Sequence, residues 1–174
     1  MRWIWIDTFV EFESGKRAVA LKNVTLAEEH LHDHVPGFPV MPAALIIEGM
    51  AQTAGILVGE ARKFAENVIL AKIRRAEFSG FAVPGDQLRY EATVESIDER
   101  AAMTSGIVLR NGEPMGKVDL IFSHVNQAEK TLGLPDHNFV FTGELKYMLE
   151  RAQAAANRPE PDGQQTSRPA DKVP

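Results

Sequence analysis

Residues 42–64 read as one long helix, and that segment dominates what the chain can become. Pro42 suits a first helical position, because its missing N–H would be unpaired there anyway. From Ala43 to Gly59 nearly every residue is apolar or small, and a helix apolar on all sides is one that is buried on all sides. The segment is almost long enough to cross a bilayer. Glu48 and Gln52 sit near its middle, and Gly49, Gly55 and Gly59 interrupt it. A carboxylate at that depth is costly in lipid, so we expect no membrane span and a helix enclosed by the rest of the chain.

The flanks supply what could enclose it. Residues 7–24 read as a hairpin, with Ser14-Gly15-Lys16 as turn chemistry. Segments 67–78, 87–98, 101–110 and 113–124 are strand candidates, and Pro84-Gly85-Asp86 and Asn111-Gly112 are the clearest turns. Residues 27–41 form a His- and Pro-rich loop in which Pro36, Gly37 and Pro39, with Pro42 just after it, exclude regular helix. Hairpin, buried helix and antiparallel meander together imply an α+β domain, one sheet around one helix. Residues 143–156 read as a surface helix carrying Lys146, Glu150 and Arg151. From Asn157 onward the chain is polar and proline-rich, a composition that cannot bury a core, and we expect a disordered tail. The expected division is a domain at 1–130, an extension with a helix at 131–156 and a tail at 157–174.

Composition removes several function classes. There is no cysteine, so disulfides, thiolate metal sites and cysteine nucleophiles are excluded. The net charge of −5 argues against nucleic-acid binding, which carries a basic surplus. The start of the chain lacks the pattern of a secretory signal, so a cytoplasmic location is expected.

Two regions carry chemistry. Glu48 lies among Leu45, Ile46, Ile47, Met50 and Ala51, where we expect it to be buried. A carboxyl group withdrawn from water favours its neutral form, and a neutral carboxylic acid is a competent general acid. Gln52 shares the same helical face one turn later and can hydrogen-bond it. A solvent-facing glutamate or a structural ion-pair partner is the alternative. Three histidines alternate in the loop, His30, His32 and His34. They could suggest a metal, but no second ligand pair stands elsewhere, since His124 and His137 are isolated. His34 stands out, because the stiff run Val35-Pro36-Gly37-Phe38-Pro39 behind it can hold one side chain still. At the helix start, the free N–H groups of Ala43 and Ala44 and the positive dipole end suit a developing oxyanion. A base, an acid and an oxyanion site are the set needed to abstract a proton beside a carbonyl and expel a β-hydroxyl.

The run His34-Val35-Pro36-Gly37-Phe38-Pro39-Val40-Met41-Pro42, continuing to Glu48-Gly49-Met50-Ala51-Gln52, resembles the signature of the FabA/FabZ family of 3-hydroxyacyl-ACP dehydratases. Leu21-Lys22-Asn23-Val24-Thr25 upstream, and Phe78 with Val83-Pro84-Gly85-Asp86-Gln87-Leu88 downstream, extend the resemblance over about residues 7–125. A glutamate at position 48, where FabA-type enzymes carry aspartate, leans towards FabZ. The resemblance implies a hotdog fold, an antiparallel sheet wrapped around a long central helix. It also implies homodimers, often joined as trimers of dimers, in which His34 of one chain stands beside Glu48 of its partner.

The family's catalytic histidine falls on His34, its catalytic acid on Glu48 and its carbonyl-polarising amide on Ala43. The implied reaction is dehydration of a 3-hydroxyacyl chain on acyl carrier protein, with no metal or other cofactor. Three positions depart from the family pattern. Asp33-His34-Val35 stands where Gly-His-Phe is usual, and Pro42-Ala43 where Pro-Gly is usual. The methyl group of Ala43 keeps the N–H but narrows the approach of a thioester. The rival readings are a hotdog thioesterase acting on acyl-ACP or acyl-CoA, and a non-catalytic acyl-thioester-binding subunit.

Overall fold

A computed structural model describes residues 3–125 and 143–156. The chain forms β1 (Thr8–Glu13), β2 (Arg17–Asn23), α1 (His30–Asp33) and α2 (Ala43–Ala61). Then follow β3 (Asn67–Phe78), β4 (Gln87–Ile97), β5 (Ala101–Arg110), β6 (Glu113–Val125) and α3 (Gly143–Ala156). The strands make one sheet in the order β1-β2-β4-β5-β6-β3, and every neighbouring pair is antiparallel. This curved sheet wraps α2, which is the hotdog arrangement.

The inward residues explain the wrap. Leu88, Tyr90 and Ala92 of β4, Ala102 and Val108 of β5, and Val118, Leu120 and Phe122 of β6 alternate to one face and are buried there. Helix and sheet approach closely because glycine sits at the contacts. A Cβ on Gly49 would lie 2.5 Å from the Tyr90 ring, and one on Gly106 would lie 2.5 Å from the Met50 sulfur. Register shifts interrupt every pairing except β2 with β4, and such bulges bend strands and increase their twist. The helix long and apolar enough to cross a membrane is therefore the core helix, enclosed by the sheet over most of its length.

Several expectations need correction. Strand β3 does not lead the meander beside β4. The helix carries the chain across the sheet, and β3 enters at the far edge beside β6. The loop 27–41 is not free of helix, because α1 forms a single turn before Pro36 can interfere. Helix α2 stops at Ala61 rather than near Phe64, and Lys63 and Phe64 follow in the left-handed region at φ 54° and 55°. It is not buried all round either, because Ala43 and Ala44 at its start are exposed. Helix α3 exists at the expected bounds, but Leu145 and Leu149 are buried in the core. It covers β1 rather than lying free on the surface. The expected boundary at 130/131 and the expected tail at 157–174 lie outside the described residues.

Candidate active site

The loop between β2 and α2 is braced at several points, and His34 lies within it. It is anchored first at Val24, whose N–H donates to the Asp86 carbonyl (2.9 Å) and whose carbonyl accepts from Gly85 N–H (2.9 Å). After α1, Val35-Pro36-Gly37-Phe38 closes a β-turn, with Phe38 N–H donating to the Val35 carbonyl at 3.0 Å. Gly37 has φ +78°. Proline at the second position and a left-handed glycine at the third are the requirements of a type II turn. Met41 N–H then donates to the Ala82 carbonyl at 2.8 Å, which ties the run to the loop after β3. His34 stands exposed at the front of this braced segment.

His34 lines a cleft of about 480 Å³ together with Met41, Pro42, Ala43, Ile46 and Phe78. Ala43 begins α2, whose cap is Pro42 at φ −56° and ψ 136°. No side chain caps this end. The Pro42 carbonyl accepts from Leu45 N–H (2.9 Å) and Ile46 N–H (3.2 Å), so the Ala43 and Ala44 N–H groups lie ahead of the first helical bonds. They point out of the positive end of the helix dipole, beside His34, in a place where a carbonyl oxygen gaining charge is stabilised.

Glu48 does not share that cleft within one chain. It lies further along α2 and is half-buried, not fully buried as its apolar neighbours suggested. The reason is that Ile46, Gly49 and Met50 take the faces against the sheet. Glu48 instead faces Gln52, whose Nε2 donates to Glu48 Oε1 at 3.0 Å. Gln52 also joins the amino-terminal segment, with Trp5 N–H donating to its Oε1 (2.8 Å) and its Nε2 donating to the Trp3 carbonyl (3.0 Å). Sequence reasoning found Gln52 as a partner of Glu48 but missed Trp3 and Trp5. Their contribution is backbone N–H and C=O, which every residue type carries.

The other histidines disperse. His30 packs edge-to-face on Trp5, with ring centroids 5.0 Å apart, and burial pushes its pKa below the usual value. His32 is exposed. His124 is buried at the other end of α2, with Nδ1 3.5 Å from Glu66, and burial, reinforced by Arg62, lowers its pKa. Among the described residues no group of three His, Asp or Glu side chains stands close enough to hold a metal ion.

Residues 3–116 match the family model of the FabA-like domain. The FabZ 3-hydroxyacyl-(acyl-carrier-protein) dehydratase of Clostridium acetobutylicum is 36% identical over 118 residues, covering 67% of this chain and 84% of the relative. The enzyme of the same name from Bacillus pumilus is 37% identical over 122 residues, covering 70% and 85%. Among solved structures, the dehydratase heterocomplex ApeI:P from Xenorhabdus doucetiae superposes with a TM-score of 0.63 at 18% identity, over 75% of this chain and 88% of that one. A hypothetical thioesterase with coenzyme A from Streptococcus pneumoniae superposes with a TM-score of 0.56 at 8% identity, over 68% and 84%. The two solved structures share the fold. The chain belongs to the FabA-like family, on the side of the FabZ-type 3-hydroxyacyl-(acyl-carrier-protein) dehydratases.

Proposed function

We propose that this protein removes water from a (3R)-3-hydroxyacyl chain carried on acyl carrier protein, giving the trans-2-enoyl thioester in fatty acid or related lipid biosynthesis. The observation that carries the reading is the cleft in which His34 and the unpaired Ala43 N–H face the same space. A thioester carbonyl accepting from Ala43 N–H places its α carbon within reach of the imidazole. Neutral His34 takes the α proton, and the electron pair delocalises onto the carbonyl oxygen. The C–O bond at the β carbon then breaks, and the hydroxyl leaves as water with a proton from Glu48. Product release leaves His34 protonated and Glu48 ionised, and a proton returning from His34 to Glu48 through solvent resets the pair. No metal or redox cofactor enters this balance.

Glu48 lies outside the cleft of its own chain, so the acid belongs to a second copy. Strand β3 supports a homodimer. Among the described residues it is an edge strand, paired only to β6, and residues 71–77 are exposed along it. A long unpaired edge is a template for another strand, and a two-fold axis there would join two sheets into one. The partners are thus acyl carrier protein and a second copy of the chain, with a trimer of dimers as the larger assembly. The location is cytoplasmic, and the catalytic unit is 1–130 with 131–156 as its extension and 157–174 as its tail.

Incubating the protein with crotonyl- and decenoyl-ACP tests the reaction in reverse. We expect the acyl-ACP mass to increase by one water. Release of free acid and free carrier thiol would instead make it a thioesterase, and binding without any mass change would make it an acyl-binding subunit.

A further inference from the structure

Every polar atom of the Gln52 amide is committed, and the backbone decides which way round it sits. Trp5 offers an N–H, which can only donate, and it meets Gln52 Oε1 at 2.8 Å. Trp3 offers a carbonyl, which can only accept, and it meets Gln52 Nε2 at 3.0 Å. Reversing the amide would set donor against donor at Trp5 and acceptor against acceptor at Trp3. The assignment of oxygen and nitrogen is open for many glutamines, but here these two backbone groups fix it. The second Nε2 hydrogen is then aimed at Glu48 Oε1, 3.0 Å away.

The base of this clamp is firm. Trp5 is 4% exposed and Ile6 1% exposed. Trp5 also stacks edge-to-face on His30 and, at 5.6 Å, on Trp3. Glu48 Oε2 makes no hydrogen bond to any described residue. An oxygen that already receives an N–H is the poorer place for a proton, because a hydroxyl there would confront the donor.

We propose that Gln52, fixed by the Trp3 carbonyl and the Trp5 N–H, is a positioning residue that makes Oε1 of Glu48 the permanent acceptor and Oε2 the oxygen that carries and delivers the proton. The proposal rests on Glu48 being the acid of the reaction. It adds that the amino-terminal segment is part of the catalytic apparatus, acting through one side chain. Only a donor at this atom serves, so the requirement is chemical and not one of size.

Two substitutions separate donor chemistry from packing. Gln52→Met keeps the length and removes every polar atom. Gln52→Glu keeps the shape and still accepts from Trp5 N–H. When ionised it has no donor, and when protonated it regains a single O–H. In the enoyl-ACP hydration assay we expect both variants to lose about ten- to a hundredfold in kcat near neutral pH, with KM within about twofold of wild type, a loss of the size seen when a supporting hydrogen bond is removed. We further expect Gln52→Glu, but not Gln52→Met, to regain activity relative to wild type as the pH is lowered. Parallel pH profiles for the two variants, or an undiminished kcat in either, would overturn the proposal.

The clamp is also read without turnover, so it stands or falls even where wild type fails to hydrate enoyl-ACP. In proton–nitrogen correlation spectra of the wild-type protein, the Gln52 side-chain amide should exchange slowly, and one of its two protons should shift in Glu48→Ala. A fast-exchanging amide, indifferent to that substitution, would refute the clamp. Wild-type inactivity with an intact clamp would refute only the dehydratase reading.

Discussion

At the scale of single residues, exposure and hydrogen bonding separate the proposed catalytic side chains from those that pack the core. His34 is exposed and makes no hydrogen bond to another described residue, so its loss breaks no hydrogen bond among them. His34→Ala should therefore keep its melting temperature while turnover falls by roughly 10²–10⁴-fold, the usual worth of one proton transfer. Activity and thermal melts on the same preparation check this, and a variant that unfolds early would make His34 structural. Gly49 presents the opposite case. It neighbours Glu48, yet its place is set by the Tyr90 ring, 2.5 Å from where a Cβ would stand. Tyr90 is fully buried and flanked by β-strands, so it has little room to yield. Gly49→Ala should cost about 1–3 kcal/mol of stability, as overpacking does, measured by urea unfolding. An unchanged midpoint would show that helix and sheet can separate there. The motif is what singles out His34, Ala43, Glu48 and Gln52 as the proposed site, because each proposed role needs its own side chain or its place at a helix start. The carbonyl of Trp3 and the N–H of Trp5 were not legible, since no residue type marks them.

At the scale of elements, the strands were readable wherever alternation and turn residues agreed. Asn111 and Gly112 both have positive φ, at 53° and 88°, as an Asn-Gly hairpin turn demands, and the bounds of β5 follow from it. What alternation could not show is which strands become neighbours. The neighbour of β3 is chosen by where α2 releases the chain, through two left-handed residues that carry no glycine signal. Neighbour choice on the outer face shows instead in charge. Glu11 of β1, Arg17 of β2, and Arg89 and Glu91 of β4 close a ring of ion pairs across three strands. The Arg89 hydrogen bond, working against partial burial, holds the Glu91 carboxyl below the usual carboxylate range. A carboxyl group depressed in the folded state adds stability above its unfolded pKa and loses it as the pH falls through the folded value. Stability of the native protein should thus decline on acidification through and below the ordinary carboxylate range, and Glu91→Gln should decline less over the same window. At neutral pH the variant should be weaker by no more than about 1 kcal/mol, because the ring is partly exposed. Urea midpoints at neutral and acid pH test this, and identical acid profiles would show that the ring adds nothing.

At the scale of the whole molecule, the separation of His34 from Glu48 becomes a statement about assembly. His34 and Ala43 share a cleft that Glu48 does not line. The helix start around Ala43 and Ala44 and the edge strand β3 are both left open by the described residues. If two chains complete each other across a two-fold axis, each dimer has two sites, and each site takes His34 from one chain and Glu48 from the other. Take His34→Ala and Glu48→Ala chains, each inactive alone. In a mixed dimer, one site collects both lesions. The other draws His34 from the Glu48→Ala chain and Glu48 from the His34→Ala chain, and is intact. Random exchange makes about half of the dimers mixed, each with one working site of two, so activity should return to about a quarter of wild type. The measurement is to unfold the two variants together in equal amounts, refold them and assay the mixture, with differently tagged chains to show that mixed dimers form. Sites completed within one chain would each keep their lesion in every pairing. Mixed dimers with only background activity would therefore place His34 and Glu48 on one chain, and the acid would have to reach the cleft by a rearrangement of α2 rather than from a partner.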